Sequence, residues 1–151
     1  MHKERITALV PPDPAKALAA LTHHRWALPV LAHVARNQGS KFVTLSRQLG
    51  IAPSSLTRTL ERLQALGLVV RNPGYGHPMR PEYILGPVGE RVGELPQELV
   101  AWVDGRAMGR ELFKKWHLPV LVALGPDTRR FGEVRDRLVG ATPRAVALAL
   151  K

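Results

Sequence analysis

The sequence predicts a mainly α-helical fold with one small β-hairpin, an α+β arrangement. Three observations carry that expectation. Apolar residues recur at helical spacing in several separate segments, most clearly Leu56, Leu60 and Leu63. Two short runs of β-branched and aromatic residues, Leu68-Val69-Val70-Arg71 and Tyr83-Ile84-Leu85, flank a stretch rich in Pro and Gly. Part of the helical pattern then returns about 90 positions later, without a second hairpin.

The elements follow in order. Asp13 as N-cap and Pro14 at the first helical position start a short helix running to about Leu21, with Ala17, Leu18 and Leu21 on its packing face. Trp26 to Ala35 reads as a second helix, with Trp26, Val30, Leu31 and Val34 on one side and Pro29 near its first turn. Asn37-Gln38-Gly39-Ser40 ends it. Lys41-Phe42-Val43 is expected as a short strand, after which Thr44 caps a short helix through Leu49, and Gly50 turns the chain. Residues 53–66 carry the strongest helical pattern, opened by Pro53 and closed by Gly67. The two strands come next, joined by a long loop. Residues 86–95 hold three glycines and read as a short terminal helix or linker. Pro96 to about Trp116 is expected to be helical, with Leu99, Trp102, Val103, Leu112 and Phe113 as packing positions and Gly105 and Gly109 weakening its middle. Trp26, Trp102 and Trp116 are expected as core anchors.

The repeat begins where Trp26-Ala27-Leu28-Pro29-Val30-Leu31 recurs as Trp116-His117-Leu118-Pro119-Val120-Leu121. Phe42 to Leu49 then matches Phe131 to Leu138, and Gly50-Ile51-Ala52-Pro53 matches Gly140-Ala141-Thr142-Pro143. Leu56 and Leu60 correspond to Val146 and Leu150. The domain reading is therefore an N-terminal segment and helix (1–25), a helix-turn-helix with hairpin (26–93), a connecting helix (94–115) and a partial, wingless second helix-turn-helix repeat (116–151). Lys151 falls inside the helix that matches 53–66. Either the reading frame is truncated there, or this copy has lost its reading end and serves packing.

Composition narrows the function classes. The 151 residues suit one or two small domains. No apolar run is long enough for a membrane span, and the N-terminus leads into no signal-like apolar segment. Cysteine is absent, which removes disulfides and thiolate chemistry and fits a cytoplasmic, nucleoid-associated location. The six histidines have no metal-ligand spacing, so no metal is expected. Phosphate-binding Gly-rich loops, G-x-S-x-G and paired catalytic carboxylates are also missing from the sequence. Neither an enzyme nor a cofactor is expected.

Charge points to a polyanion. The formal net charge is +10 and the pI about 11.1. Residues 25–80 hold Arg25, Arg36, Lys41, Arg47, Arg58, Arg62, Arg71 and Arg80 against Glu61 alone, a net +7 within one module. Drift toward Arg-rich composition would not concentrate charge in this way.

Helix, short helix, tight turn, longer helix and basic hairpin together make the winged helix-turn-helix pattern. The major groove of DNA admits one helix, and side chains near its N-terminus reach base edges. With the leucines buried, Ser54 and Arg58 lie on the opposite face of 53–66, flanked by Ser55, Thr57 and Arg62. Arg58 is the residue suited to a bidentate grip on guanine. Lys41, Thr44 and Arg47 are further candidates for backbone contact, with helix capping as the competing role for Thr44. On the wing, 71–81, the candidates are Arg71, His77 and Arg80. The expected function is sequence-specific double-stranded DNA binding in transcriptional regulation. The alternative is non-specific or architectural DNA binding in chromosome maintenance or repair.

Residues 25–92 resemble the HxlR-type winged helix regulators of the broader MarR-like group. The resemblance rests on Arg25-Trp26 with Pro29-Val30-Leu31, Phe42, and Gly50-Ile51-Ala52-Pro53 with Leu56 and Leu60. It continues through Leu66-Gly67-Leu68-Val69-Val70-Arg71 and His77-Pro78…Pro81-Glu82-Tyr83-Ile84-Leu85. It implies a homodimer whose N- and C-terminal helices form the interface and whose two recognition helices read a pseudo-palindromic site. There is room for a small-molecule effector that the sequence does not name. Two departures stand out: the thiol-sensing branch needs a cysteine, and the partial second copy is unlike a single-module member.

Overall fold

A computed structural model describes residues 14–72, 81–105, 109–127 and 130–151. They are mostly helical, with one two-stranded antiparallel sheet. The chain divides into two compact units, His24–Arg110 and a second of Met1–His23 with Glu111–Lys151.

In the first unit, α2 (Ala27–Arg36) is followed by α3 (Phe42–Leu49) and α4 (Pro53–Ala65). Strands β1 (Val69–Arg71) and β2 (Tyr83–Leu85) come next, then α5 (Pro87–Val92) and α6 (Leu95–Asp104). Helix α2 is the centre. It buries Ala27, Leu28, Val30, Leu31, Ala32 and Val34, almost all round, because α6, α4, β2 and α3 all pack on it. Leu56, Leu60 and Leu63 of α4 complete this core with Leu45, Ile51 and Val69, each at most 2% exposed. Apolar burial on this scale, about 25 cal/mol per Å², is the main stabilising contribution. Buried Thr59 is satisfied, its hydroxyl donating to the Ser55 carbonyl at 2.8 Å.

Gly67 turns α4 into the hairpin. Its φ is +69°, its N–H donates to the Gln64 carbonyl, and the Leu68 N–H donates to the Leu63 carbonyl, both at 2.9 Å. This is a Schellman C-terminus, which an L side chain at that φ would strain. The hairpin pairs Val69 with Leu85, Val70 with Ile84 and Arg71 with Tyr83.

Four expectations are corrected here. No strand forms at 41–43: helix α3 already begins at Phe42, with Lys41 as its N-cap. Extended pairing is confined to Ser40, which exchanges two backbone hydrogen bonds with Tyr83, at 2.8 and 2.9 Å. Thr44 therefore sits inside the first turn of α3 and does not cap it. The expected helix from Pro96 to Trp116 stops at Asp104, with Gly105 at its C-cap, and a separate 3₁₀ turn covers Gly109–Phe113. Trp102 is 49% exposed and is no core anchor; its neighbour Val103 carries the burial on that turn.

The second unit holds α1 (Pro14–Leu21), α7 (His117–Leu124), α8 (Phe131–Arg137) and α9 (Pro143–Ala149). Helix α1 packs on α7. Its buried residue is Ala15, while Ala17, Leu18 and Leu21 are half-buried. Ala15, Val120, Ala123, Val134, Leu138 and Val146 form one core cluster, with Trp116 packed against it. Buried Thr22 lies 2.7 Å from the Leu18 carbonyl and 2.8 Å from that of Lys115, sharing its one proton between them. The expected cap of α1 at Asp13 lies outside the described residues.

Among the described residues, no helix is long and apolar enough to cross a membrane.

Candidate nucleic-acid interface

The face of α4 opposite its leucines is open to solvent. Ser54, Thr57, Arg58 and Glu61 are exposed, and Ser55 and Arg62 are half-buried at its edges. The local cause is the leucine spacing: burying Leu56, Leu60 and Leu63 leaves the polar residues between them on the outer arc. Pro53 stands in the first turn, where its missing N–H costs little. Thr57 donates its hydroxyl proton back to the Pro53 carbonyl at 3.0 Å, so its oxygen is left to accept.

The preceding turn is compact. Gly50 ends α3 in the left-handed region, and Ser46 Oγ donates to the Ile51 carbonyl at 2.8 Å. Arg47 is exposed on the last turn of α3. Lys41 is also exposed, while Thr44 is half-buried, and both line an open polar cleft of about 530 Å³ with His33, Asn37, Gln48 and Pro81. Burial, and secondarily the charge of Arg36, hold the His33 imidazole below its ordinary value, so it stays neutral near pH 7. Arg25 is drawn onto the ring of Trp26, 4.9 Å from its centre.

The hairpin base is tied to the start of α3. Glu82 Oε1 pairs with Arg71 Nη2 at 3.1 Å, and Glu82 Oε2 accepts from the Phe42 N–H at 3.2 Å. The Ser40–Tyr83 backbone exchange lies beside them. Gly39 fits under Pro81, where an added Cβ would come within 2.6 Å of the proline ring. Sequence reasoning placed Arg71 among the DNA contacts and gave Glu82 no role. The missed signal was an acid beside Tyr83 in an otherwise basic hairpin, facing an arginine only after the strands pair. Of the other wing candidates, His77 and Arg80 lie outside the described residues.

Ser54, Ser55, Thr57, Arg58 and Arg62 thus share one helix, Arg47 and Thr44 share α3, and Lys41 is its N-cap. Among the described residues, no group of three His, Asp or Glu side chains could hold a metal ion.

Neither the curated proteins nor the solved structures contain a match to this chain. The model of the HxlR-like helix-turn-helix family matches residues 21–110, which is more than half of the chain and spans α2 through α6. The chain belongs to the HxlR-like helix-turn-helix family, a family of DNA-binding transcription regulators.

Proposed function

We propose that the protein regulates transcription by sequence-specific binding to double-stranded DNA, as a homodimer. In this reading α4 enters the major groove and the wing, 71–81, lies along the backbone or adjacent minor groove. One observation carries it: Ser54, Thr57 and Arg58 project from the open face of a helix that runs directly into a paired hairpin. Serine and threonine offer short donors and acceptors to base edges, and Arg58 offers a planar fork for guanine O6 and N7. Arg47 on α3 and Lys41 at its N-cap, with Arg71, His77 and Arg80 on the wing, supply phosphate contacts.

We further propose that 116–151 repeats the first part of the helix-turn-helix, up to the helix that matches α4, and does not read DNA. Its support is position by position. Buried Val30, Leu45 and Leu56 correspond to buried Val120, Val134 and Val146. Gly50 at φ +64° corresponds to Gly140 at φ +89°. The reading positions Ser54, Ser55, Thr57 and Arg58 correspond to Arg144, Ala145, Ala147 and Leu148. Of these four, only Arg144 offers a hydrogen bond to a base edge, whereas all four positions of the first unit do.

Selection from a random duplex library tests the central reading. The expected result is one enriched pseudo-palindromic motif bound by a dimer. Equal recovery of all sequences, with a steep salt dependence, would favour the architectural alternative, for which the net charge of +10 is the supporting observation.

A further inference from the structure

We propose that Glu82 weakens sequence-independent DNA binding by competing with phosphate for Arg71. The proposal rests on the DNA-binding reading and concerns one carboxylate in the hairpin base. Its two oxygens are committed to two different elements. Oε1 holds the Arg71 guanidinium at 3.1 Å, and Oε2 accepts the Phe42 N–H at 3.2 Å, at the start of α3. The Arg71 side chain is 70% exposed and that of Glu82 34%, so the pair lies where a nucleic-acid backbone could approach it.

One consequence follows from charge and geometry. A phosphate must compete with a carboxylate already in place for Arg71, so the arginine contributes less than a full counterion release to binding of any sequence. This lowers the sequence-independent part of affinity and leaves α4 untouched, so base contacts carry a larger share of the binding energy. The neighbouring Ser40–Tyr83 backbone pair holds the strand independently of the carboxylate, so removing the charge does not by itself free the hairpin.

The test compares wild type with Glu82→Gln, Arg71→Ala and the double variant. Binding is measured on a selected duplex and a scrambled duplex across a salt series. Gln keeps the size of the side chain and an oxygen for the Phe42 N–H, and lacks the charge. The expected result is a severalfold gain in affinity for the scrambled duplex. Its log–log salt slope should steepen by about 0.9, the value for one further phosphate neutralised, with a gain of similar size on the selected duplex. The double variant should show no gain over Arg71→Ala alone. Unchanged or weaker binding of Glu82→Gln to the scrambled duplex would overturn the proposal. So would a gain that persists in the double variant, since that would be a general charge effect. Circular dichroism of each variant identifies a folding failure, in which case Glu82→Asp is read in place of Glu82→Gln, with wild-type behaviour expected and a gain on the scrambled duplex counting against the proposal. Failure of wild type to bind either duplex would instead refute the DNA-binding reading.

Discussion

Leu31 is 1% exposed in the first unit, whereas Leu121, at the same place in the repeated W-x-L-P-V-L segment, is 48% exposed in the second. The local structures around them nevertheless agree. The Val30 N–H donates to the Trp26 carbonyl and the Val120 N–H to that of Trp116, each at 2.9 Å. A cation rests on each tryptophan, Arg25 at 4.9 Å and Lys115 at 5.0 Å. Leu60 and Leu150 repeat the contrast, at 2% and 43% exposed. Similar sequence makes similar helices; burial depends on what packs against them. In the first unit α6, β2, α3 and α4 surround α2, and in the second α1, α8 and α9 pack on α7.

The largest effect should come from truncating the buried leucine of each pair. Leu31→Ala is expected to cost about 2–5 kcal/mol, and Leu121→Ala within about 0.5 kcal/mol, by urea denaturation. Equal costs would mean that Leu121 is covered in solution, and the contrast between the units would fail.

A smaller and more specific difference is expected in DNA binding. Arg58→Ala should lose about 1–3 kcal/mol on the selected site and relax preference at one base position. Arg144→Ala, at the place in the second unit that corresponds to Ser54, should leave that preference unchanged in a fluorescence anisotropy titration. A loss of preference in Arg144→Ala would make the second unit a reading head as well.

Next comes the turn after α4. Gly67→Ala should destabilise by about 1 kcal/mol, because its φ of +69° is strained for any L side chain. A melting temperature equal to that of wild type would show that the turn relaxes.

The smallest effect concerns pH, and here the two units should behave alike. Burial lowers the His33 and His117 imidazoles below their ordinary value of 6.5, with Arg36 adding to the effect at His33 and Lys114 at His117, where Glu111 opposes it. His117 Nδ1 is also buried without a hydrogen-bond partner. The folded state therefore binds fewer protons than the unfolded chain below that value. The associated stability is full above about pH 6.5 and declines as the pH falls toward the folded-state values. Thermal melts between about pH 7.5 and about pH 5 should show this decline, reduced in His33→Asn and in His117→Asn. A pH-independent melting temperature across that range would contradict the assignment.

Much of the DNA-reading unit was legible in the sequence because its signals are local. Leucine spacing places the open face of α4, Gly67 places the turn, and β-branched runs place both strands at their observed cores. Phe42 was misread because Lys41-Phe42-Val43 has strand-like composition, while an acid forty positions away caps it as a helix. Trp102 was misread because helical periodicity identifies the faces of a helix but not which one meets a neighbour.

By itself, then, the sequence determined the extent of α4 and the places of both strands, since a proline, a glycine and the hydrophobic period act within a few residues. It also determined the concentration of positive charge that suits the module to DNA. Tertiary structure alone decided that Glu82, Arg71 and Phe42 meet, that α6 covers α2, and that Leu121 lies open where Leu31 is buried. Those outcomes depend on contacts between residues far apart in the chain, whose pairing no local pattern encodes.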